Sequence, residues 1–157
     1  MQITTYNHQN IPYTLHVKLL ESLTLSDDLA LSTREEIFIK DICKRVSKSK
    51  SVLYVLEDNK NTIGLISLSV NSINEQPSLQ VDYILVNRIF QGQILTSLDN
   101  DKPFRYLIKL AILIGEKISL EAGLKYIVLS PDNDSLKNKY KQVGFETLND
   151  EWMYLKL

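Results

Sequence analysis

The sequence is poor in the residues that build disulfides and metal sites. Cys43 is the only cysteine, so an internal disulfide and a cysteine-based metal site are both excluded. The two histidines, His8 and His16, stand eight residues apart without an acidic or cysteine partner at ligand spacing. We therefore expect no metal site.

Glycine and proline are also scarce, with five and four residues among 157. Low-complexity and disordered chains are thereby excluded, and the 44% hydrophobic and 24% charged fractions are those of an ordinary globular protein. A chain of this length buries roughly 68 to 70% of its unfolded surface, so we predict one domain over residues 1–157.

Long apolar runs and an excess of positive charge are missing as well. No run of 18 apolar residues occurs, and residues 1–20 lack a basic start followed by an apolar core. We expect no membrane partner and a cytoplasmic protein. The net charge of −1 provides no general attraction for phosphates, which argues against a nucleic-acid partner. We interpret the basic cluster between Lys40 and Lys50 as a solvated helix face.

What is present is a succession of strand and helix patterns. In chain order they are β, α, α, β, β, β, α, β, α, β. The predicted strands are 2–6, 52–56, 63–70, 79–86, 125–129 and 151–157, and the predicted helices are about 14–24, one that begins near residue 32 and ends at 47–51, 104–122, and 134–143. A capping box of Ser32 with Glu35, or Thr33 with Glu36, would begin the second helix. The fold class is α/β (α+β): a mixed, mostly antiparallel sheet of six to seven strands with helices on both faces.

The strand at 79–86, the turn that follows it and the helix from residue 104 form a candidate anion cradle. The first amides of a helix are unpaired and point outward, so they can bind an anionic group. Because a strand, helix, strand unit implies a parallel neighbour, the strand at 125–129 should pair in parallel with 79–86.

Four short stretches stand out within this order of elements: Asp82-Tyr-Ile-Leu-Val86, Phe90-Gln-Gly-Gln93, Pro131-Asp-Asn133 and Tyr140-Lys-Gln-Val-Gly-Phe145. Together with the order of elements, they resemble the GNAT superfamily of N-acyltransferases. The resemblance implies acetyl-CoA as co-substrate, held between two parallel strands that splay apart, here 79–86 and 125–130. An amine would attack the thioester directly, with a base accepting its proton and an acid protonating the thiolate.

The resemblance also implies the site residues. The backbone of Leu85 and Val86 would bind the pantetheine arm, and the turn at Gln91, Gly92 and Gln93 would bind the diphosphate. Asn133 would contact the cofactor arm, and it is also the expected N-cap of the last helix.

Two side chains are candidates for catalysis. Tyr140 matches the family's acid, and packing against the sheet is the alternative role for its ring. Asp82 is our candidate base, since Gln80 on the same face cannot accept a proton. A water chain, or an amine that arrives neutral, could replace the base.

The turn departs from the family pattern at two positions. Ile94 and Thr96 stand where small residues normally let the diphosphate approach the amides, and about eight extra residues follow, among them Asp99 and Asp101. Either Arg88, Lys102 or Arg105 supplies compensating charge and cofactor binding survives, or the aspartates cap their own helix and coenzyme A binding is lost.

The predicted function is an acyl-CoA-dependent N-acetyltransferase acting on a primary amine of a small molecule, a protein or a peptide. The alternatives are a binding or regulatory module that has lost coenzyme A, and a toxin-like enzyme that acetylates aminoacyl-tRNA. By resemblance, acceptor specificity would come from the first two helices and the loops near 26–32 and 71–77. Trp152 and Tyr154 on the last strand offer a surface for a homodimer.

Overall fold

A computed structural model describes residues 1–59 and 61–157 of the chain. The strands are β1 (Gln2–Tyr6), β2 (Val52–Asp58), β3 (Asn61–Ile73), β4 (Gln76–Val86), β5 (Tyr126–Leu129), β6 (Glu146–Thr147) and β7 (Met153–Lys156). The helices are α1 (Leu15–Ser22), α2 (Leu29–Ser47), α3 (Pro103–Ala122) and α4 (Asp134–Gln142), with short 3₁₀ turns at Arg88–Phe90 and Thr96–Leu98.

The strands form one mixed, mostly antiparallel sheet in the order β1-β2-β3-β4-β5-β7-β6. The predicted fold class and the parallel pairing of β4 with β5 are confirmed. That pairing matches Ser78 with Tyr126 and Gln80 with Val128. β4 then runs on for six more residues, to Val86.

The chain divides into two compact units, Met1–Ser67 with Tyr83–Leu107 and Leu68–Asp82 with Ile108–Leu157. The first unit has a buried core to which α1, α2, β2, β3 and β4 contribute, among others, Leu19, Ile42, Val55, Leu65 and Leu85. In the second unit the buried residues include Leu79, Ile108, Ile127, Tyr140 and Met153. In both units the apolar residues that alternate along strands or recur along helices form the core.

The predicted start of α2 is wrong. The Asp28 carboxylate accepts a hydrogen bond from the Leu31 amide at 2.9 Å and is the N-cap. The Ser32 and Thr33 hydroxyls instead donate to the Leu29 carbonyl oxygen, inside the first turn. Aspartate caps a helix as well as serine does, so Asp28 provides the cap earlier in the chain than the predicted box.

Strands β3 and β4 are longer than predicted. They are joined by a two-residue turn in which Asn74 and Glu75 both have positive φ, 50° and 63°, the conformation that hairpin turns of this length favour. Pro77 lies inside β4, and its carbonyl accepts a hydrogen bond from the Lys125 amide at 2.9 Å. The two-residue strand β6 was not predicted, and the predicted turn at 58–61 includes Lys60, which lies outside the described residues.

Candidate functional site

The turn after β4 is held by its own glutamines. Gln91 Nε2 donates to the Val86 carbonyl oxygen at 3.3 Å, and Gln93 Nε2 donates to the Ile89 carbonyl oxygen at 2.7 Å. These two hydrogen bonds hold the turn against the backbone at Val86 and Ile89, so the shape of the turn does not depend on a ligand.

Gly92 gives this turn its conformation. Its φ of +73° lies in the left-handed region, where a side chain is strained. A Cβ built on Gly92 would meet no atom within 4 Å, so the space above the turn is open. Ile94, which stands where the family pattern has a small residue, is 66% exposed. The turn thus presents open backbone at Gly92, with the Ile94 side chain in solvent.

The end of β4 approaches a glycine of β3 closely. Leu85 is buried in the core of the first unit, and its carbonyl oxygen would lie 2.8 Å from a Cβ placed on Gly64. The Cα of Val86 would be 3.5 Å away from the same Cβ. Gly64 therefore permits a path of the β4 backbone at Leu85 and Val86 that any larger residue would obstruct.

The extra segment before α3 closes on itself. Leu95 and Asp101 form an antiparallel bridge in which the Leu95 amide donates to the Asp101 carbonyl oxygen at 3.1 Å. Between them Leu98 is fully buried, and Asp99 and Asn100 both have positive φ. Residues 95–101 therefore form a small folded loop around the buried Leu98 side chain. We call this loop the clasp.

Charges around the clasp and the turn are compensated within the first unit. The Asp101 carboxylate accepts a hydrogen bond from the Lys102 amide at 2.8 Å and lies 3.8 Å from Arg105 Nε. Arg88 Nη1 is 3.3 Å from the Asp27 carboxylate. Two of the three cations predicted to serve a diphosphate, Arg88 and Arg105, therefore each face an aspartate of this chain.

Asp82, in the second unit, belongs to a polar row on β3 and β4. Its Oδ1 accepts hydrogen bonds from Ser69 Oγ at 2.7 Å and from Gln80 Nε2 at 3.1 Å. Gln80 Oε1 in turn accepts a hydrogen bond from Asn71 Nδ2 at 2.5 Å. The carboxylate is half-buried and held in one orientation by donors on both strands.

Tyr140, also in the second unit, is buried in the last turn of α4. Only 4% of it is exposed, and its ring makes an edge-on contact with the Phe145 ring at 5.7 Å between centroids. Burial, and secondarily the negative charge of Asp132, raises the pKa of the Tyr140 phenol. Packing is thus one role of this side chain, and its phenol is protonated at neutral pH.

Asn133 is the N-cap of α4, as expected. Its Oδ1 accepts a hydrogen bond from the Leu136 amide at 2.9 Å. The residue is exposed. It lies at the start of α4, whereas Tyr140 lies in the last turn of the same helix. Its structural role is fulfilled without a ligand.

Sequence reasoning missed Asn87, a buried polar residue at the end of β4. Its side-chain partners include Ser22 and Thr62, which lie 65 and 25 positions earlier in the chain. No local sequence pattern predicts contacts between residues so far apart in the chain. An asparagine directly after an apolar strand was the only available signal. Across residues 1–59 and 61–157, no group of three or more His, Cys, Asp or Glu residues could hold a metal ion.

No family model and no curated protein matches the chain. Solved structures match along 99% of it. A crystal structure of AtaTR bound with AcCoA is 15% identical, is covered over 92% of its own chain and has a TM-score of 0.74. A tyrosine-to-phenylalanine mutant of the AtaT toxin is 14% identical, is covered over 88% and has a TM-score of 0.72. The AtaT complex with acetyl-methionyl-tRNAfMet is 15% identical, is covered over 94% and has a TM-score of 0.70.

These neighbours are GNAT-fold acetyltransferases. The chain has the GNAT fold. The family resemblance predicted from the residues is thereby confirmed as a statement about fold. One expectation is corrected: a nucleic-acid partner is not unlikely for a protein of this fold, since the similar protein AtaT has been solved with a tRNA.

Proposed function

We propose that this protein is an acyl-CoA-dependent N-acetyltransferase that transfers acetyl from acetyl-CoA to a primary amine by direct attack. The observation that carries the proposal is the match of 99% of the chain, at a TM-score of 0.74, to a structure with acetyl-CoA bound. The GNAT fold alone does not fix an activity, so the residues of the site must support it.

The first unit offers the groups that would hold the co-substrate. The left-handed Gly92 leaves open space over the turn, where backbone amides can approach a diphosphate. The β4 backbone at Leu85 and Val86 would align the pantetheine arm as an added strand is aligned. Gln91 and Gln93 act here by shaping the turn through their bonds to Val86 and Ile89.

Tyr140 is the proposed acid. The departing thiolate needs a proton donor that is still protonated when the bond to the acetyl group breaks. A phenol is protonated over the whole neutral range, and burial raises the pKa of Tyr140 further. Asn133 holds the start of the helix that carries Tyr140, so it would contribute by position as well as by any contact with the cofactor arm.

Asp82 is the proposed base. Ser69 and Gln80 both donate to its Oδ1, and these two hydrogen bonds orient the carboxylate. A water chain or an amine that arrives neutral remains the alternative. The acceptor would be a small molecule, a protein or a peptide with a primary amine. No helix within the described residues is apolar and long enough to span a bilayer, and a cytoplasmic location is part of the proposal.

Acetyl-CoA binding tests the proposal. A ligand at a hundred times its Kd adds about 2.7 kcal/mol to the free energy of unfolding, which raises Tm by roughly 5 to 10 °C for a protein of this size. Pantetheine, which lacks the nucleotide, is the control and should give a smaller shift. No shift at millimolar acetyl-CoA would refute cofactor binding and favour the non-catalytic module.

A narrower candidate is the acetylation of aminoacyl-tRNA. It is favoured by the similarity to AtaT, which has been solved with acetyl-methionyl-tRNAfMet. The end of α2 and the residues after it carry the exposed Lys44, Lys48 and Lys50, a local positive patch in the first unit. Labelled acetyl-CoA offered with charged tRNA, deacylated tRNA and free amino acids would decide. Label on the charged tRNA alone supports this candidate, and label only on free amines refutes it.

A further inference from the structure

Asn87 is buried at the junction of β4 and the turn that follows. It is 2% exposed, and both donors of its side-chain amide have a hydrogen-bond partner. Nδ2 donates to the Thr62 carbonyl oxygen at 2.8 Å and to the Ser22 carbonyl oxygen at 3.4 Å. Oδ1 accepts from the Thr24 amide at 3.2 Å and from the Ile89 amide at 3.4 Å. An amide with two donors and one acceptor oxygen is thus fully used.

Capping the 3₁₀ turn explains only part of this arrangement. A cap needs an acceptor oxygen for the Ile89 amide, and aspartate or serine would provide one. The two Nδ2 bonds and the Thr24 bond reach instead to the end of α1, to β3 and to the loop after α1. An asparagine is needed because these partners include both carbonyl and amide groups.

The contacts join two short segments of the first unit. We name residues 23–28, between α1 and α2, the acceptor loop, and residues 87–93 the cofactor turn. The Thr24 amide donates to Asn87 Oδ1, and the Arg88 amide donates back to the Thr24 carbonyl oxygen at 3.0 Å. The Asp27 carboxylate then faces Arg88 at 3.3 Å. The acceptor loop is therefore fastened to the first two residues of the cofactor turn.

We propose that Asn87 is a positioning residue that couples the acceptor loop to the cofactor turn, so that binding acetyl-CoA at the turn also orders the loop. The proposal rests on the proposed function. Its physical basis is that a ligand which fixes residues 87–93 removes the openings in which the Thr24 amide loses its partner. Arg88 contributes through its backbone amide and its ion pair with Asp27, and Asn87 through its side chain.

Hydrogen exchange of the full chain, with and without acetyl-CoA, tests the coupling. At about 100 times its Kd, the ligand slows exchange through openings that release it by up to about 100-fold. In the wild type we expect slowing in both the cofactor turn and the acceptor loop. In Asn87→Ala we expect the turn still to be slowed and the loop to be slowed much less than in the wild type, because only the Arg88 contacts with Thr24 and Asp27 then join the two segments.

Asn10→Ala is the matched control. Asn10 is also an asparagine of the first unit that bridges backbone groups, donating to the Thr5 carbonyl oxygen and accepting from the Asn7 amide. It should keep the protection of both segments. If Asn87→Ala does not fold, Thr24→Pro removes the Thr24 amide hydrogen and keeps the carbonyl at this position as an acceptor, and Leu23 has the extended backbone that a following proline requires. The loop should again be slowed much less than in the wild type.

The outcomes separate the two proposals. Protection of the turn without the loop in the wild type overturns the coupling and leaves cofactor binding intact. Protection of both segments to the wild-type extent in Asn87→Ala overturns the role of Asn87. Protection of neither segment in the wild type overturns the proposed function, and this inference with it.

Discussion

Gly64→Ala would place a methyl group against the backbone of β4. The new Cβ would lie 2.8 Å from the Leu85 carbonyl oxygen and 3.1 Å from Leu107 Cδ1. Carbon and oxygen atoms in close contact stay about 3.3 Å apart or more, so a displacement of about 0.5 Å is required. The Leu107 side chain can rotate, but the Leu85 carbonyl can move only if β4 moves.

The expected cost follows from this contact. Overpacking a core costs about 1 to 3 kcal/mol, and alanine recovers about 0.4 to 1 kcal/mol by restricting the unfolded chain. A net loss of about 1 to 2 kcal/mol corresponds to a Tm lower by roughly 2 to 8 °C. If the displaced backbone at Leu85 and Val86 loses one hydrogen bond to the pantetheine arm, about 0.5 to 1.5 kcal/mol of binding is lost, or roughly twofold to tenfold in Kd.

The assay is thermal unfolding together with calorimetric titration of acetyl-CoA. Gly115→Ala is the control, because its new Cβ would meet only side-chain atoms, Leu157 Cδ2 at 3.1 Å and Ile127 Cδ1 at 3.3 Å. Those atoms can give way, and alanine favours the helix by about 0.5 to 1 kcal/mol. We expect Gly115→Ala to keep both Tm and Kd. A Gly64→Ala variant with unchanged Tm and unchanged Kd would refute the reasoning.

Further predictions concern single residues. Tyr140→Phe should lower turnover and leave the Kd for acetyl-CoA nearly unchanged in calorimetry, and equal loss of both would contradict the acid role. Folding raises the pKa of Tyr140, so above about pH 10 the unfolded chain loses this proton at a lower pH than the folded chain does. In denaturation at alkaline pH, the free energy of unfolding of the wild type should therefore fall, relative to that of Tyr140→Phe, by up to about 1.4 kcal/mol per pH unit. Gly92→Ala should cost about 1 kcal/mol by chemical denaturation and Gly92→Asn less, since asparagine tolerates positive φ; equal costs would indicate a steric cause. Asp28→Ala should cost about 1 kcal/mol of stability, and Ser32→Ala much less, if Asp28 caps α2.

Regular elements were predictable because their signals are local. β1 falls at Gln2–Tyr6 as its pattern indicates, and Gly123, with its φ of +73°, ends α3 as expected of a residue after a helix. The errors come from competing local signals. Asp28 and the serine-threonine pair after it could each begin α2, and only the three-dimensional structure shows which one caps it.

The elements that carry the candidate residues were more predictable than the interactions of those residues. The helix that carries Tyr140 lies at Asp134–Gln142, close to its predicted range, and no regular helix or strand covers the turn at 91–93. The ion pair of Arg88 and the network of Asn87 depend on partners that lie far away in the chain. Gln91 and Gln93 bind carbonyl groups only five and four residues away, but no sequence signal shows that these side chains turn back onto the backbone. Such contacts are fixed by the fold as a whole, which one sequence read locally does not supply.

The folded clasp before α3 has a consequence for the conformational entropy that a ligand bound beside it would remove. A segment without internal contacts keeps its conformational freedom until binding orders it, and that freedom is then lost. Here the two ends of the segment meet at Leu95 and Asp101, and Leu98 fills its interior. Much of this entropy is therefore already lost on folding, so a neighbouring ligand would meet a segment that needs little further ordering.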